Sequence, residues 1–403
     1  MPDLPAPSAA AVEHSAIVAE KVAERIRDAG GWISFADYMA IVLYAPGLGY
    51  YSAGARKFGA EGDFVTASMI SPLFAGTVAS RIDAWLRASG TDTLLEFGPG
   101  TGDFMCGALA TVDTGDASLR RYLLLEVSAD LRDRQRQRLE SRTSPVAVEW
   151  CEQLPQRFRG MVYANEILDA LPAERFVVRD GSWWRLGVGL GTQGFEWRVR
   201  PADGACADDE NFKSEAARRR ESLNALGVEL PDGYCGEWQP SLHAWLATLA
   251  DAIDCGAVLI ADYGLPRRQL FHPDRMQGSL RCHYRHYALA DPFIHPGLCD
   301  ITTWVDFTAV AAAAESSGFE VAGFTTQTAF LLGAGIEREF SAATCDLDPV
   351  DPRHVALARG LRTLMMPGEM GEAVKFMLLT RGVPHKSFEG DPGFSLRDLR
   401  ASL

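Results

Sequence analysis

Residues 94–103 have the sequence LLEFGPGTGD and contain the pattern that decides the fold. The short apolar run of residues 93–97 carries an acid at Glu96, and glycines at alternate positions follow it before a helix begins. A strand, a glycine-rich turn and a helix in this order are typical of a βαβ unit, in which the strands lie parallel. The stretch therefore predicts an α/β fold whose first strand is residues 93–97.

The glycine pattern can be compared with three ligand-binding loops. A phosphate-binding P-loop ends in Gly-Lys-Ser/Thr, and this stretch has no lysine. A dinucleotide fingerprint has the spacing G-x-G-x-x-G, whereas Gly98, Gly100 and Gly102 have the spacing G-x-G-x-G. The flanking acids Glu96 and Asp103 would repel a pyrophosphate but attract S-adenosylmethionine, which carries a sulfonium, an ammonium and no phosphate. The loop therefore favours S-adenosylmethionine over NAD as the cofactor.

Further short apolar runs alternate with helical segments along the chain. They occupy residues 122–126, 146–150, 161–164, 258–261, 319–325 and 375–380. Buried strands that alternate with helices predict a parallel sheet covered by helices on both faces, which is a Rossmann-like architecture. We divide the chain accordingly into a helical N-terminal cap (1–91), the first half of the cofactor-binding domain (92–172), an inserted subdomain (173–255), the second half of the domain (256–382) and a C-terminal tail (383–403).

The insertion between the fourth and fifth strands has a different pattern. It contains Asp180-Gly181 between alternating residues, and Asp-Gly is one of the strongest signals of a two-residue hairpin turn. Residues 194–200 (GFEWRVR) predict a third antiparallel strand, and helices are expected around 209–226 and 239–254. We therefore expect an inserted α+β subdomain.

Acids also occur at the ends of the second and third predicted strands. Glu126 is placed where an acid accepts hydrogen bonds from both ribose hydroxyls of a bound nucleoside. In the next strand end, Trp150 or Cys151 could supply a face for the adenine, and Glu152 an acceptor for its amino group. With Glu96 and the three glycines, Glu126 and Glu152 are therefore candidate cofactor-binding residues. A solvated strand end is the alternative for any single acid.

The fourth strand leads into ANEILDALP (164–172), at the edge where doubly wound sheets bind ligands. Enzymes that methylate amino groups of bases often have Asn-Pro-Pro-Tyr here, and Glu166 after Asn165 disfavours that activity. A carboxylate can bind a planar guanidinium through two hydrogen bonds, so Glu166 and Asp169 suit a cationic acceptor. We take Glu166, Asp169 and Asn165 as the candidate catalytic residues. The alternative is that Asp169 caps a turn and Glu166 lies on the surface.

Histidines are concentrated in the segments GSLRCHYRH and PFIHPG, at His283, His286 and His295. Their spacing does not predict convergent metal ligands, so we expect no metal site. Asp262, which follows the fifth strand, is assigned to the substrate pocket together with Tyr284 and His286.

The composition narrows the choice of partners. Asp and Glu number 53 and Lys and Arg 39, which makes the formal net charge −14. Because nucleic-acid binding depends on Lys and Arg contacts to phosphate, DNA and RNA are not expected as substrates, whereas a basic protein segment suits the charge. The eight cysteines are dispersed and form no C-x-x-C pair, and the sequence has no secretory signal, so we expect a cytoplasmic protein. No apolar run approaches the length of about 20 residues that a membrane span needs, so we expect no membrane insertion.

Taken together, the motifs resemble the MidA-type methyltransferases, bacterial relatives of a mitochondrial complex I assembly factor that methylates a protein arginine. The resemblance spans nearly the whole chain and depends on PGLGYYS (46–52), GDFVTAS (62–68), EFGPGTG (96–102), ANEILDALP (164–172), ADYG (261–264), GSLRCHYRH (278–286), DITTWVDF (300–307) and MGEAVKFMLL (370–379). It implies a Rossmann-like class I methyltransferase with a helical N-terminal segment, an insertion beside the substrate crevice and a protein arginine as acceptor. Within it, Asp63 and Thr66 are assigned to the cofactor site, and residues 62–66 and 284–286 are expected to close over that site.

The expected function is therefore S-adenosylmethionine-dependent methylation of an arginine in a partner protein. Two other classes stay open: a non-catalytic assembly or chaperone factor on the same fold and, less favoured, an NAD-binding oxidoreductase. The identity of the protein substrate is open, a respiratory-complex subunit included, and so is a homodimeric state.

Overall fold

The structure, a computed structural model, describes residues 4–53, 66–112, 116–140, 142–202, 207–384 and 387–403. The chain divides into two compact units. The sheet unit comprises Val65–Ile167, His243–Gly264 and Thr308–Leu403. The hairpin unit comprises Met1–Phe64, Leu168–Leu242 and Leu265–Phe307.

The elements are numbered in chain order. The strands are β1 (Thr93–Phe97), β2 (Arg121–Leu125), β3 (Ala147–Cys151), β4 (Phe158–Asn165), β5 (Glu174–Arg179), β6 (Ser182–Gly191), β7 (Gly194–Arg200), β8 (Cys235–Trp238), β9 (Ile253–Leu265), β10 (Arg281–Tyr284), β11 (Tyr287–Leu289), β12 (Asp300–Thr302), β13 (Val305–Asp306), β14 (Glu320–Thr326) and β15 (Val374–Arg381). The helices are α1 (Ala9–Asp28), α2 (Phe35–Tyr44), α3 (Ala67–Ile70), α4 (Pro72–Ser89), α5 (Asp103–Val112), α6 (Ala129–Leu139), α7 (Ala207–Ala225), α8 (Leu242–Ala252), α9 (Arg267–Leu270), α10 (Phe307–Ser316), α11 (Gln327–Ala334), α12 (Ile336–Thr344), α13 (Pro352–Met365) and α14 (Pro392–Ser395).

The sheet unit contains a mostly parallel sheet in the order β3-β2-β1-β4-β9-β15-β14. Strands β3, β2, β1, β4 and β9 pair in parallel, whereas β15 pairs antiparallel with both β9 and β14. The expected α/β class is confirmed, but the expectation of a parallel sheet is wrong for β15. A buried strand has the same apolar sequence pattern whether it runs parallel or antiparallel to its neighbours, so the pattern could not show the antiparallel direction of β15.

Helix α4 illustrates how local signals set the elements of the sheet unit. Ser71 caps it by accepting a hydrogen bond from the Leu73 amide, Pro72 starts it, and Gly90 ends it in the left-handed conformation. Its Trp85 is buried in the core that the helices form with the sheet. Helix α4 belongs to the sheet unit, whereas the sequence analysis included its residues in the helical N-terminal cap (1–91).

The hairpin unit contains the predicted two-residue turn. Asp180 and Gly181 have φ angles of 49° and 67° and join the antiparallel strands β5 and β6, as a type I′ turn requires. Strand β7 adds to this hairpin as expected, and β8 completes the order β7-β6-β5-β8. The short β8 was not predicted, and neither was the second sheet, β11-β10-β12. Among the described residues, no helix is both long and apolar enough to cross a membrane.

Candidate active site

The loop between β1 and α5 contains the three glycines of the sequence motif. Gly98, Gly100 and Gly102 all adopt the left-handed conformation, with φ angles of 57°, 54° and 81°. A Cβ atom on Gly98 would lie 2.8 Å from Cδ1 of Ile167, which follows the end of β4. The backbone therefore favours glycine for its left-handed conformation, and at Gly98 the side chain of Ile167 also lies close.

Helix α6, which follows β2 in the sequence, forms hydrogen bonds with this loop. Gln135 donates to the carbonyl of Gly100 at 2.7 Å. Arg138 donates to the carbonyl of Thr101 at 2.8 Å and forms an ion pair with Asp103 at 2.8 Å. Arg138 thus joins α6 to a residue 35 positions away, a contact that a helical sequence pattern does not show.

Glu96 lies on β1 with only 4% of its surface exposed. The hydroxyl of Tyr122 donates to its Oε2 at 2.7 Å. Burial raises the pKa of Glu96 to about 8, against the hydrogen bond from Tyr122, and the nearby carboxylates of Glu126 and Asp103 raise it further. The side chain is therefore protonated over much of the neutral range when no cation lies beside it.

Glu126 directly follows β2 and is also buried. It accepts a hydrogen bond from the Ser128 amide at 2.8 Å. Burial raises the pKa of Glu126, while hydrogen bonds from that amide and from the side chain of Gln135 lower it. Glu126 therefore lies at the end of β2, the strand that pairs with β1 beside the glycine loop, as the sequence predicted.

The end of β3 carries the residues that were predicted to lie near an adenine. The indole nitrogen of Trp150 donates to Oε1 of Gln135 at 2.7 Å, and the guanidinium of Arg136 lies 5.0 Å from the indole ring. The thiol of Cys151 donates to the Leu124 carbonyl at 3.5 Å. Glu152 differs from the other candidate acids, because its side chain is 76% exposed and forms an ion pair with Arg132 at 2.6 Å.

The end of β4 lies beside the glycine loop, since Phe97 of β1 pairs with Ala164 of β4. Asn165 donates from Nδ2 to Oε1 of Glu166 at 3.1 Å, and it accepts a hydrogen bond from the Tyr163 hydroxyl at 3.1 Å. Glu166 has a φ angle of 53°, which is unusual for a residue with a side chain and is common at functional sites.

Asp262 at the end of β9 holds this turn in place. It is fully buried and accepts hydrogen bonds from the amides of Ile167, at 3.1 Å, and Tyr263, at 2.8 Å. The amide of Glu166 donates to the carbonyl of Ala261 at 2.9 Å. Asp262 therefore orders the backbone that carries Asn165 and Glu166, a role that its position at a strand end did not reveal.

Several predicted site residues belong to the hairpin unit. Asp169 and Tyr284 are buried, and the ring of Tyr284 lies 5.3 Å from that of His295. His286 is exposed in a left-handed turn, and burial lowers the pKa of the half-buried His283. The His, Cys, Asp and Glu side chains of the described ranges form no group of three that could hold a metal ion.

The segment 62–66 is described only at its last residue. Thr66 is half-buried and precedes α3 as its N-cap, without a side-chain hydrogen bond to the helix. Asp63 lies outside the described residues.

A tyrosine and aspartate cluster in the hairpin unit was not predicted. The hydroxyl of Tyr51 donates to Oδ1 of Asp300 at 2.6 Å, and that of Tyr44 donates to the carbonyl of Ala170 at 2.8 Å. The two tyrosine rings lie 5.3 Å apart. Both residues lie in sequence motifs of the family resemblance, Tyr51 in PGLGYYS (46–52) and Asp300 in DITTWVDF (300–307), and these motifs were the available signal for the cluster.

Comparison with known proteins agrees with this loop geometry. A family model described as "Putative S-adenosyl-L-methionine-dependent methyltransferase" matches residues 76–325. The chain belongs to this family. The predicted family, the methyltransferase activity and the cofactor, S-adenosylmethionine, are thereby confirmed.

Solved structures show the same fold over the full length. A protein of Burkholderia thailandensis, crystallised with S-adenosyl-homocysteine, is 38% identical, with a TM-score of 0.89 and 100% of both chains covered. A native crystal structure from the same organism is 36% identical, with a TM-score of 0.86 and the same coverage. This methyltransferase therefore shares its complete architecture with both proteins.

Curated relatives carry a more specific name. The "Protein arginine methyltransferase NDUFAF7 homolog, mitochondrial" of Drosophila melanogaster is 29% identical over 88% of this chain and 82% of the relative. The "Protein arginine methyltransferase NDUFAF7, mitochondrial" of Rattus norvegicus has the same identity and coverage.

Proposed function

We propose that this methyltransferase transfers a methyl group to an arginine side chain of a partner protein. The observation that carries the proposal is the position of Asn165 and Glu166. The residue after them, Ile167, packs so closely on Gly98 that a Cβ atom there would lie 2.8 Å from it. An amide and a carboxylate at the end of β4 thus adjoin the glycine loop of the cofactor site.

The residues of the loop and of the next two strand ends fit the cofactor. Backbone at Gly98, Gly100 and Gly102 can approach the ligand because no side chain intervenes. Glu126 holds the ribose hydroxyls, and Glu96 faces the cationic amino acid portion. Trp150 or Cys151, Glu152, Asp63 and Thr66 complete the proposed set. S-adenosylmethionine, when bound, supplies the methyl group as a sulfonium.

Two acids are assigned to the acceptor. A guanidinium is protonated at neutral pH and is a poor nucleophile, since its pKa exceeds about 12. Glu166 binds it so that one nitrogen faces the methyl group and accepts the proton that this nitrogen loses, while Asn165 holds the Glu166 carboxylate through their hydrogen bond. Asp169 is the second proposed acid. The names of the curated relatives support arginine as the acceptor.

The proposal extends to the surroundings of the site. The expected roles of Asp262, Tyr284 and His286 in the acceptor pocket, and of residues 62–66 and 284–286 as its cover, stay predictions from the sequence and the resemblance. The division of the chain into the segments 1–91, 92–172, 173–255, 256–382 and 383–403 is part of this proposal. We further propose a cytoplasmic location and a protein substrate. A respiratory-complex subunit as that substrate and a homodimeric state both stay open, and sedimentation would test the second.

Two measurements test the proposed function. Isothermal titration should show binding of S-adenosyl-homocysteine and none of NAD, and the reverse result would support an oxidoreductase. A lysate of a strain that lacks the gene should accept a tritiated methyl group, and mass spectrometry should locate that group on an arginine. Methylation of lysine would refute the proposed acceptor. Cofactor binding without any transfer would favour the non-catalytic assembly factor.

A further inference from the structure

The side chain of Gln135 is fully buried on α6, although it is polar. Its Nε2 donates to the carbonyl of Gly100 at 2.7 Å, and its Oε1 accepts from the indole nitrogen of Trp150 at 2.7 Å. Gln135 also lies close enough to Glu126 to lower the pKa of that carboxyl group. One amide therefore joins the glycine loop to the aromatic residue of β3, beside the acid that follows β2.

These partners leave the amide of Gln135 one orientation. The Gly100 carbonyl can only accept a hydrogen bond and the Trp150 indole nitrogen can only donate one, so a rotated amide would lose both. The aliphatic part of the side chain also packs beneath the loop, because Cγ lies 3.3 Å from where a Cβ on Gly102 would stand. The hydrogen bonds to Gly100 and Trp150 thus fix the orientation of Gln135, and Gln135 in turn fixes the positions of these two groups.

We propose that Gln135 is a positioning residue that sets Glu126, Trp150 and the glycine loop in the arrangement that S-adenosylmethionine requires. The inference depends on the cofactor site of the proposed function. Removal of the amide leaves the Gly100 carbonyl and the Trp150 indole N–H each short of one partner. The two groups then shift to find other partners, and the cofactor site, including the neighbouring Glu126, loses its arrangement.

The first test compares two buried glutamines of the sheet unit. Gln135→Met should weaken the binding of S-adenosyl-homocysteine at least tenfold in isothermal titration. Gln327 is the matched control, because it is also fully buried and donates to the Leu364 carbonyl at 2.8 Å. Gln327→Met should lower the melting temperature but leave the affinity within threefold. Equal affinities in the two variants would overturn the inference.

The second test uses Gln135→Glu and pH. A protonated glutamic acid can still donate to Gly100 and accept from Trp150, whereas its carboxylate cannot donate. The affinity of this variant should approach that of the wild type at low pH and fall as pH rises. A loss of affinity that does not depend on pH would contradict a positioning role. If Glu126→Ala binds S-adenosyl-homocysteine as tightly as the wild type, the proposed cofactor site is wrong. If Glu126→Ala loses affinity but the Gln135 variants keep the affinity of the wild type, the cofactor site stands and this inference fails.

Discussion

Glu96 and Glu126 are carboxyl groups that burial makes costly to ionise. Each has about a twentieth of its surface exposed, and burial raises the pKa of both. Such groups persist where a ligand compensates for the cost, and a ligand with an ammonium and two ribose hydroxyls does so. At the scale of single residues, the raised pKa values of Glu96 and Glu126 therefore support the proposal that this site binds a cationic nucleoside.

Glu126→Ala tests the ribose contact. Hydrogen bonds to a charged group contribute about 1.5–3 kcal/mol each, so the affinity for S-adenosyl-homocysteine should fall at least tenfold. The measurement is isothermal titration. Glu149→Ala is the control, because Glu149 lies on β3 in an exposed pair with Arg121, and its affinity should stay within threefold. An unchanged affinity in Glu126→Ala would exclude the ribose contact.

Glu166→Gln tests the proposed acid at the end of β4. Gln keeps the hydrogen bond with Asn165 but cannot accept the proton, so turnover should fall roughly 100-fold or more while cofactor affinity stays within about threefold. Single-turnover methylation at saturating cofactor measures the first and titration the second. Normal methylation in both Glu166→Gln and Asp169→Asn would show that the acids lie elsewhere.

At the scale of elements, turns with a positive φ angle determine where strands begin and end. The hairpin of β5 and β6 depends on Asp180 and Gly181, and a Cβ on Gly181 would meet no atom within 4 Å. Any effect of a side chain at Gly181 is therefore conformational and not a clash.

Comparing Gly181→Val with Gly181→Asn separates the cost of the left-handed conformation from the effect of adding any side chain. Valine is strongly disfavoured in the left-handed region, whereas asparagine tolerates it, so valine should lower the free energy of unfolding by about 1–2 kcal/mol and asparagine by less than half of that. Urea denaturation measures both. Equal losses in the two variants would rule out the left-handed turn as the cause.

At the scale of the whole molecule, both units contain a carboxyl group whose pKa is raised by burial. Burial raises the pKa of Glu174 in the hairpin unit to about 7, against the ion pair with Arg185 at 2.7 Å. The pKa of Glu96 in the sheet unit is about 8. In the unfolded chain a glutamate has its ordinary pKa near 4.5, so the folded protein binds more protons between pH 4.5 and 8.

The free energy of unfolding should therefore decrease as pH rises from 5 to 8. Each group contributes a slope of at most about 1.4 kcal/mol per pH unit. Glu96→Gln stays neutral and keeps an acceptor for Tyr122, so its stability should fall less steeply over this range. Urea denaturation at several pH values checks both proteins. A Glu96→Gln slope identical to that of the wild type would refute the raised pKa of Glu96.

The sequence could predict the features that local chemistry sets. Alternate glycines after an apolar run, Asp-Gly between alternating residues, and Ser-Pro before a helix each restrict the backbone within a few residues. The strands β1 to β4 and the first hairpin were therefore placed to within a few residues. The acids Glu96 and Glu126 followed from the same reasoning, because the ends of neighbouring parallel strands lie together.

By itself, the sequence determined the order of the strands β1 to β7 and the glycine loop that is proposed to bind the cofactor. Only the tertiary structure decided the antiparallel direction of β15, the hydrogen bonds of Gln135 and Asp262, and the contact between Tyr51 and Asp300. Tyr51 and Asp300 are separated by 249 residues and the other pairs by 35 and 95. No local pattern specifies such contacts, because they arise when packed elements bring distant polar groups into burial, where each must find a partner.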